Sequence, residues 1–212
     1  MRDTDIYSTL QHRLITHGFD HGQRLRAELI KDDYGVSAST VREALFRLSA
    51  EGLAVFLEQR GFRVPEKSRR LINELAHVRI LLEQEGTALS MRHGGVAWEA
   101  RLTAAHHQLS HIETRIHDAD DPAPFVDLWF QSEEEFHDTL ISACGSKTLL
   151  ETHKSIYRRF RQQVMVEDRV FDFISANIQH HAEILQAALS GDEDLARQKI
   201  HHHLKRHLVS AD

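Results

Sequence analysis

The chain has 212 residues, of which 41% are hydrophobic, so it can bury the core of one or two domains. Its single cysteine, Cys144, excludes an intrachain disulfide framework, and neither an apolar signal core nor a membrane-length apolar run occurs, so we expect a cytoplasmic protein without a membrane partner. The net charge of −6 excludes a strongly basic chain, and any basic surface must be local, because residues 1–68 hold ten Lys and Arg and ten Asp and Glu.

The first part of the chain predicts two short helices. Ile6, Leu10 and Leu14 recur at helical spacing, and the glycines that follow them end this first helix. Residues 27–34 predict the second helix, and Gly35 supplies the turn after it.

The next segment predicts a well-marked amphipathic helix. Val41, Leu45 and Leu48 form its apolar stripe. Small hydroxyl groups and a guanidinium occupy the first turns, away from that stripe, and such a helix end can enter the DNA major groove and reach bases and phosphates. The candidate DNA-binding residues here are Ser37, Ser39, Thr40, Arg42 and Arg47. The alternative is that the two arginines are only solvated helix charges.

Two β-prone runs follow this helix. Residues 53–57 and 62–64 flank a polar turn that contains Arg60 and Gly61, which indicates a hairpin, and we include these two turn residues among the DNA-binding candidates. Three helices and a small β-hairpin form a winged helix-turn-helix, which we expect over residues 1–68. Double-stranded DNA is the expected partner, and a protein-interaction module is the open alternative.

Residues 69–212 show nearly continuous helical periodicity. We therefore expect a mainly α protein whose second domain is an all-α antiparallel helical bundle, because the breaks between helices are short. The six helices are expected at about 70–92, 96–118, 123–143, 146–167, 171–190 and 192–208.

Histidine is the chemical clue in the second domain, which holds 14 of the 17 histidines. Glu133 and His137 are four residues apart and share a helix face. His181 and His203 lie at similar distances before and after the turn near Gly191, so they reach the same height on antiparallel helices. One carboxylate and three imidazoles would suit a divalent transition metal such as Zn²⁺ or Ni²⁺.

Other arrangements of these residues are possible. His207 follows His203 by four residues and could compete as a ligand. Glu134 and His137 form Glu-x-x-His, as in di-iron bundles, although such a centre needs a second copy of the motif together with further Glu residues. A metal-dependent helical-bundle enzyme is the alternative to a binding protein, although the sequence offers no nucleophile or acid–base pair apart from the metal set.

The first third of the chain resembles the DNA-binding domain of the GntR family of bacterial transcription regulators. The matching elements are Gly35-Val-Ser, Val41-Arg-Glu-Ala-Leu45, Arg47-Leu48, Glu51-Gly-Leu53 and Gly61-Phe-Arg-Val64. The resemblance implies a homodimeric regulator, by default a repressor, on a pseudo-palindromic operator. Ala38 and Thr40 depart from the usual Arg and Pro, and these departures bear on the operator sequence more than on DNA binding itself.

Most of the remaining chain resembles the FCD domain, the effector domain of the FadR subfamily, and the six-helix count is similar to its VanR-type subgroup. The matching elements are Arg79-x-x-Leu-Glu83, Phe136-His137, Ala143-Cys-Gly145, Leu149-Leu150, His181-x-x-Ile-Leu-x-Ala187, Asp192 and His203-Leu204. The resemblance implies metal ligation by Glu133, His137, His181 and His203, with Glu133 in place of the usual Asp.

The expected effector is a small organic acid whose carboxylate binds the metal. Arg79, on the first bundle helix, is a candidate second anchor for it. Its alternative role is an ion pair with Glu83, four residues away on the same helix.

Overall fold

The computed structural model describes residues 5–16, 18–164 and 174–208. The chain divides into two compact units, one of residues 1–71 with 158–165 and one of residues 72–157 with 166–212. The first unit therefore includes a short segment from late in the sequence. The predicted division of the chain at residues 68 and 69 does not include that segment.

The first unit contains three helices and a small sheet. The helices are α1 (Ile6–Ile15), α2 (Ala27–Tyr34) and α3 (Ala38–Ala50), and the strands are β1 (Arg24–Leu25), β2 (Val55–Leu57) and β3 (Gly61–Arg63). The strand order is β1-β3-β2, and both pairings are antiparallel. The sequence predicted only the β2–β3 hairpin, because a two-residue strand such as β1 is too short to show alternation.

The predicted apolar stripe of α3 forms the centre of this unit. Val41, Leu45 and Leu48 are fully buried against α1 and α2. Gly35 ends α2 with a positive φ of 65°, a conformation that costs glycine little, and its N–H bonds to the Lys31 carbonyl. The helix-turn-helix and the β2–β3 hairpin predicted from the sequence are therefore confirmed, and the two-residue strand β1 extends the hairpin to a three-stranded sheet.

The second unit is a helical bundle. Its helices are α4 (Arg69–His93), α5 (Gly95–Asp118), α6 (Val126–Ile141), α7 (Lys147–Val164), α8 (Ile174–Ser190) and α9 (Glu193–Leu204), and short 3₁₀ helices lie at Ala123–Phe125 and Lys205–His207. Within the described residues α5 packs on α6 and α8, and α8 packs on α9. The mainly α fold predicted from the sequence is confirmed. The predicted ends of the fourth and fifth bundle helices at residues 165–167 and 171–173 lie outside the described residues.

The last turns of α7 belong to the first unit, and buried glutamines hold them there. Gln162 Nε2 donates hydrogen bonds to the backbone carbonyls of Leu14 and Leu53, at 3.2 and 2.9 Å. Gln163 accepts from Ser68 N and donates to the Glu66 carbonyl. These bonds satisfy backbone groups at the ends of elements, which explains why this segment joins a unit distant in sequence.

Candidate metal centre and nucleic-acid interface

Four side chains of the bundle converge on one buried point. Glu133 and His137 come from α6, His181 from α8 and His203 from α9, and each is at most 3% exposed. One ligand atom from each residue lies within 4.8 Å of the others. The ring centroids of His181 and His203 are 4.6 Å apart, as expected from their similar distances along the chain from the turn near Gly191. Among the described residues this is the one cluster of three or more potential metal ligands.

The histidines of this cluster present unused nitrogen atoms. Within the described chain no group hydrogen-bonds to Nε2 of His137 or His181, or to either ring nitrogen of His203. Burial lowers the pKa of His137 to about 4, and burial with the nearby His181 ring lowers the pKa of His203 well below its usual range. Both rings are therefore neutral at pH 7, which is the state that binds a metal.

Hydrogen bonds from buried groups surround the cluster. Nδ1 of His137 lies 2.8 Å from Glu83 Oε2, and Nδ1 of His181 lies 3.2 Å from Glu113 Oε1. The hydroxyl of Tyr157 donates to Glu133 Oε2 at 3.1 Å. Sequence reasoning missed Glu113 and Tyr157, because they come from helices whose packing onto α8 and α6 no local pattern encodes.

Glu83 lies beside the cluster and accepts hydrogen bonds from three buried side chains. Its Oε1 accepts from Arg79 Nε at 2.5 Å and from His153 Nε2 at 3.1 Å, while Oε2 binds His137. Burial alone would raise the pKa of Glu83, but the Arg79 guanidinium and the two histidine hydrogen bonds hold that pKa well below its usual range. The carboxylate is therefore ionised at neutral pH and carries the charge opposite Arg79.

The sequence left two alternatives to this ligand set open, His207 as a competing ligand and a di-iron centre. His207 lies in the last 3₁₀ helix, accepts from Arg206 Nε at its own Nε2, and is not part of the cluster. A second cluster of carboxylates and histidines, as a di-iron centre needs, is not found among the residues that the structure describes. Arg79 forms the ion pair with Glu83 that the sequence offered as its alternative role.

The N-terminal end of α3 displays the predicted hydroxyl groups. Ser37 is the N-cap, and its Oγ accepts from Thr40 N at 3.1 Å. The same oxygen lies 2.7 Å from the hydroxyls of Ser39 and Thr40, so the three groups form one exposed cluster. Helix N-termini with free hydroxyls suit phosphate and base contacts.

The candidate arginines of the first unit have different surroundings. Arg42 is exposed, and its Nη2 lies 2.6 Å from Glu28 Oε1 on α2. The guanidinium of Arg47 lies 3.9 Å from the ring centroid of Tyr7 on α1, about two helical turns after the hydroxyl cluster. Arg60 is exposed in the turn between β2 and β3, and Gly61, with a φ of 77°, is the first residue of β3.

A groove runs between α2, α3 and the sheet of the first unit. Its volume is about 480 Å³, and Arg24, Arg26 and Arg42 line it together with Phe46 and Phe56. The surface beside α3 is therefore locally positive, although the chain is acidic overall. Such a local patch is what electrostatic attraction of a DNA backbone requires.

The fold is that of a class of protein, the transcription regulators that join a winged helix-turn-helix unit to a helical bundle. Residues 74–206 match the FCD domain family, and residues 3–64 match the gntR family of bacterial regulatory proteins. The chain belongs to the GntR family, in the group that carries an FCD domain, and the similar proteins are named as transcription regulators. None of the helices among the described residues is long and apolar enough to cross a membrane.

Similar proteins agree with this assignment. The chain is 33% identical to the HTH-type transcriptional regulator BphR of Paraburkholderia xenovorans over 188 residues, which cover 87% of this chain and 74% of that protein. It is 29% identical to the HTH-type transcriptional repressor GlaR of Escherichia coli over 72% of this chain and 68% of GlaR. The solved structure of E. coli McbR has a TM-score of 0.79 at 19% identity and covers 95% of this chain and 92% of McbR, which shows a shared fold.

Proposed function

We propose that this regulator binds a pseudo-palindromic DNA operator as a homodimer and that a small carboxylate effector, bound at a divalent metal in the bundle, controls that binding. The convergence of Glu133, His137, His181 and His203 carries the proposal. One carboxylate and three imidazoles in a buried cluster are donors that Zn²⁺ or Ni²⁺ takes. Buried polar atoms without partners are rare in folded proteins, and the free Nε2 atoms are such a case.

The effector would complete the metal coordination. Four protein ligands leave room for a carboxylate oxygen on a metal that accepts five or six ligands. Arg79 is proposed as the second anchor, because the Glu83 carboxylate that binds its Nε also binds His137, so Arg79 belongs to the network that holds the ligands. A metal there would supply Lewis acidity for carboxylate binding, and the chain's own residues would set where the effector lies.

Control of transcription requires two states of the protein. An effector regulates DNA binding only if it binds the operator-competent and operator-incompetent states with different affinity. In a homodimer the bundle would set the spacing of two winged helices and so their fit to two half-sites. Repression relieved by the effector is the proposed sign, since the similar protein GlaR is a repressor.

The proposal is tested first by metal content and DNA binding of the full-length protein. Elemental analysis after dialysis should find one divalent transition metal per chain, and fluorescence anisotropy with duplexes that tile the DNA flanking its gene should find one duplex bound more tightly than scrambled controls. A protein that takes up no transition metal would overturn the metal part. If the protein binds every one of these duplexes no more tightly than it binds the scrambled controls, the proposal that it regulates the genes next to its own would be contradicted.

Among the candidate DNA-binding residues, Arg42 is the one whose replacement we expect to change DNA affinity most directly. It is exposed next to the hydroxyl cluster of α3, where a guanidinium can reach a base edge or a phosphate. Replacing Arg42 with Ala is expected to weaken binding to the specific duplex by about 1–3 kcal/mol. Anisotropy titrations at one salt concentration measure this, with Arg101→Ala, an exposed α5 arginine, as the control. Equal affinities of Arg42→Ala and Arg101→Ala would remove Arg42 from the interface.

Glu28 is expected to oppose DNA binding. Its carboxylate pairs with Arg42 at 2.6 Å, and both side chains are more than half exposed. Exposed pairs stabilise a protein by at most about 1 kcal/mol, whereas a carboxylate beside a DNA backbone is repelled and competes for the guanidinium. Glu28→Gln is therefore expected to tighten DNA binding about two- to fivefold, measured by the same titration. Weaker binding would mean instead that Glu28 orients Arg42, and the exposed bundle variant Glu151→Gln is the charge-matched control.

A further inference from the structure

The imidazole of His181 has a single hydrogen-bond partner among the described residues, the carboxylate of Glu113. His181 is on α8 and Glu113 on α5, and both side chains are fully buried. Nδ1 of His181 lies 3.2 Å from Oε1 and 3.3 Å from Oε2 of Glu113, so both carboxylate oxygens face one ring nitrogen. The contact joins residues 68 positions apart, which fixes the ring from a helix other than its own.

The direction of this hydrogen bond determines which nitrogen can bind a metal. Carboxylate oxygens accept hydrogen bonds, so in this contact Nδ1 of His181 donates and carries the hydrogen. In a neutral ring Nε2 then has the free lone pair, and Nε2 is the His181 atom that is buried without a hydrogen-bond partner in the described chain. The Glu113 contact therefore selects the tautomer that the proposed ligand set needs.

Glu113 has one described hydrogen-bond partner besides His181. This second hydrogen bond, from Trp129 Nε1 to Oε1, is 3.4 Å long and therefore weak. A buried carboxylate is unfavourable unless charged or polar partners compensate it. The His181 ring is the nearer of the two partners, so this carboxylate and this imidazole form a unit.

The other two histidines of the proposed ligand set differ in whether a carboxylate binds their second ring nitrogen. His137 has the same arrangement, with Nδ1 bound to Glu83. His203 has none, because neither of its ring nitrogens has a hydrogen-bond partner among the described residues. Two ligands are thus held by carboxylates in a fixed tautomer, and the third is oriented by packing alone.

We infer that Glu113 is a positioning residue for the metal centre, which holds His181 in its Nδ1–H tautomer with Nε2 directed at the metal. The inference rests on the proposed function, since it requires that the cluster binds a metal. A carboxylate behind a ligating imidazole fixes its orientation and raises its basicity, and the loss of such a group typically lowers metal affinity about 10–100-fold. Glu113 should also affect affinity more than any carboxylate on the bundle surface.

The test compares Glu113→Gln and Glu113→Leu with the wild type and with Glu151→Gln, a surface Glu-to-Gln control on α7. Zn²⁺ affinity of the full-length protein is measured by competition with a chromophoric chelator. Glu113→Gln keeps an acceptor but loses the charge, so a loss of about tenfold is expected, and Glu113→Leu should approach about 100-fold. Affinities of both variants within twofold of the Glu151→Gln control would overturn the inference.

A second readout remains informative even if Glu113→Leu does not fold. Nitrogen-15 NMR of the metal-free wild type reports which ring nitrogen of His181 carries the hydrogen. The inference expects Nδ1–H, and in Glu113→Gln a mixture that shifts toward Nε2–H. An Nε2–H tautomer in the wild type would contradict it. If the wild type itself binds no Zn²⁺, the proposed metal site fails, which is a different outcome from variants that bind as the wild type does.

Discussion

Replacing Glu83 with Gln is expected to lower the free energy of unfolding of the bundle by about 3–5 kcal/mol. Glu83 and Arg79 are both at most 1% exposed, and their side chains meet at 2.5 Å. Glutamine keeps the size of the side chain but removes its charge, which leaves a buried guanidinium without its nearest counter-ion. The two histidine hydrogen bonds to Glu83 weaken at the same time.

The measurement is urea denaturation of chelator-treated protein, followed by tryptophan fluorescence. Trp98 and Trp129, the two tryptophans of the chain, are buried in the bundle and report on that unit. Glu85→Gln is the matched control, because Glu85 lies on the same helix in an exposed pair with Arg197 and should change stability by less than about 1 kcal/mol. Equal, small shifts of Glu83→Gln and Glu85→Gln would show that the buried pair does not stabilise the bundle.

The second large effect is expected at the ligands themselves. His181→Ala or His203→Ala removes one of four donors from a buried cluster whose ligand atoms lie within 4.8 Å of one another. Removal of a donor should exceed the loss from a positioning group, so we expect metal affinity to fall more than about 100-fold. Elemental analysis after dialysis against a weak chelator should then find little metal in either variant.

The control for the ligand variants is His202→Ala. His202 is exposed and adjacent to His203, and its ring faces His180 outside the cluster. It should retain the metal content of the wild type. Full metal occupancy in both His181→Ala and His203→Ala would exclude the proposed ligand set.

The winged helix could be predicted because its signals are local. The apolar stripe of Val41, Leu45 and Leu48 and the turn at Gly35 specify the α2–turn–α3 arrangement without distant partners. Strand β1 was missed because its formation depends on pairing with β3, about 38 positions later, rather than on any pattern in its two residues. The membership of residues 158–164 in this unit depends likewise on long-range bonds from Gln162.

The cluster of four candidate metal ligands could also be predicted from the sequence, because helical spacing places Glu133 beside His137 and a short turn sets α8 against α9. Gly191, with a φ of 78°, lies in that turn, so the heights of His181 and His203 follow from counting residues. The supporting groups could not be predicted this way. Glu113 lies on a helix that meets α8 only in the folded bundle, and its spacing to His181 carries no periodic signal.

The central claim is that a carboxylate effector bound at the metal site controls DNA binding. The most direct measurement is fluorescence anisotropy of the operator duplex with metal-loaded and chelator-stripped protein, each with and without a carboxylate that calorimetry has shown to bind the loaded protein. We expect the carboxylate to shift the DNA affinity of the metal-loaded protein and to leave the DNA affinity of the chelator-stripped protein unchanged. Superimposable DNA titrations of the loaded protein with and without the bound carboxylate would contradict it.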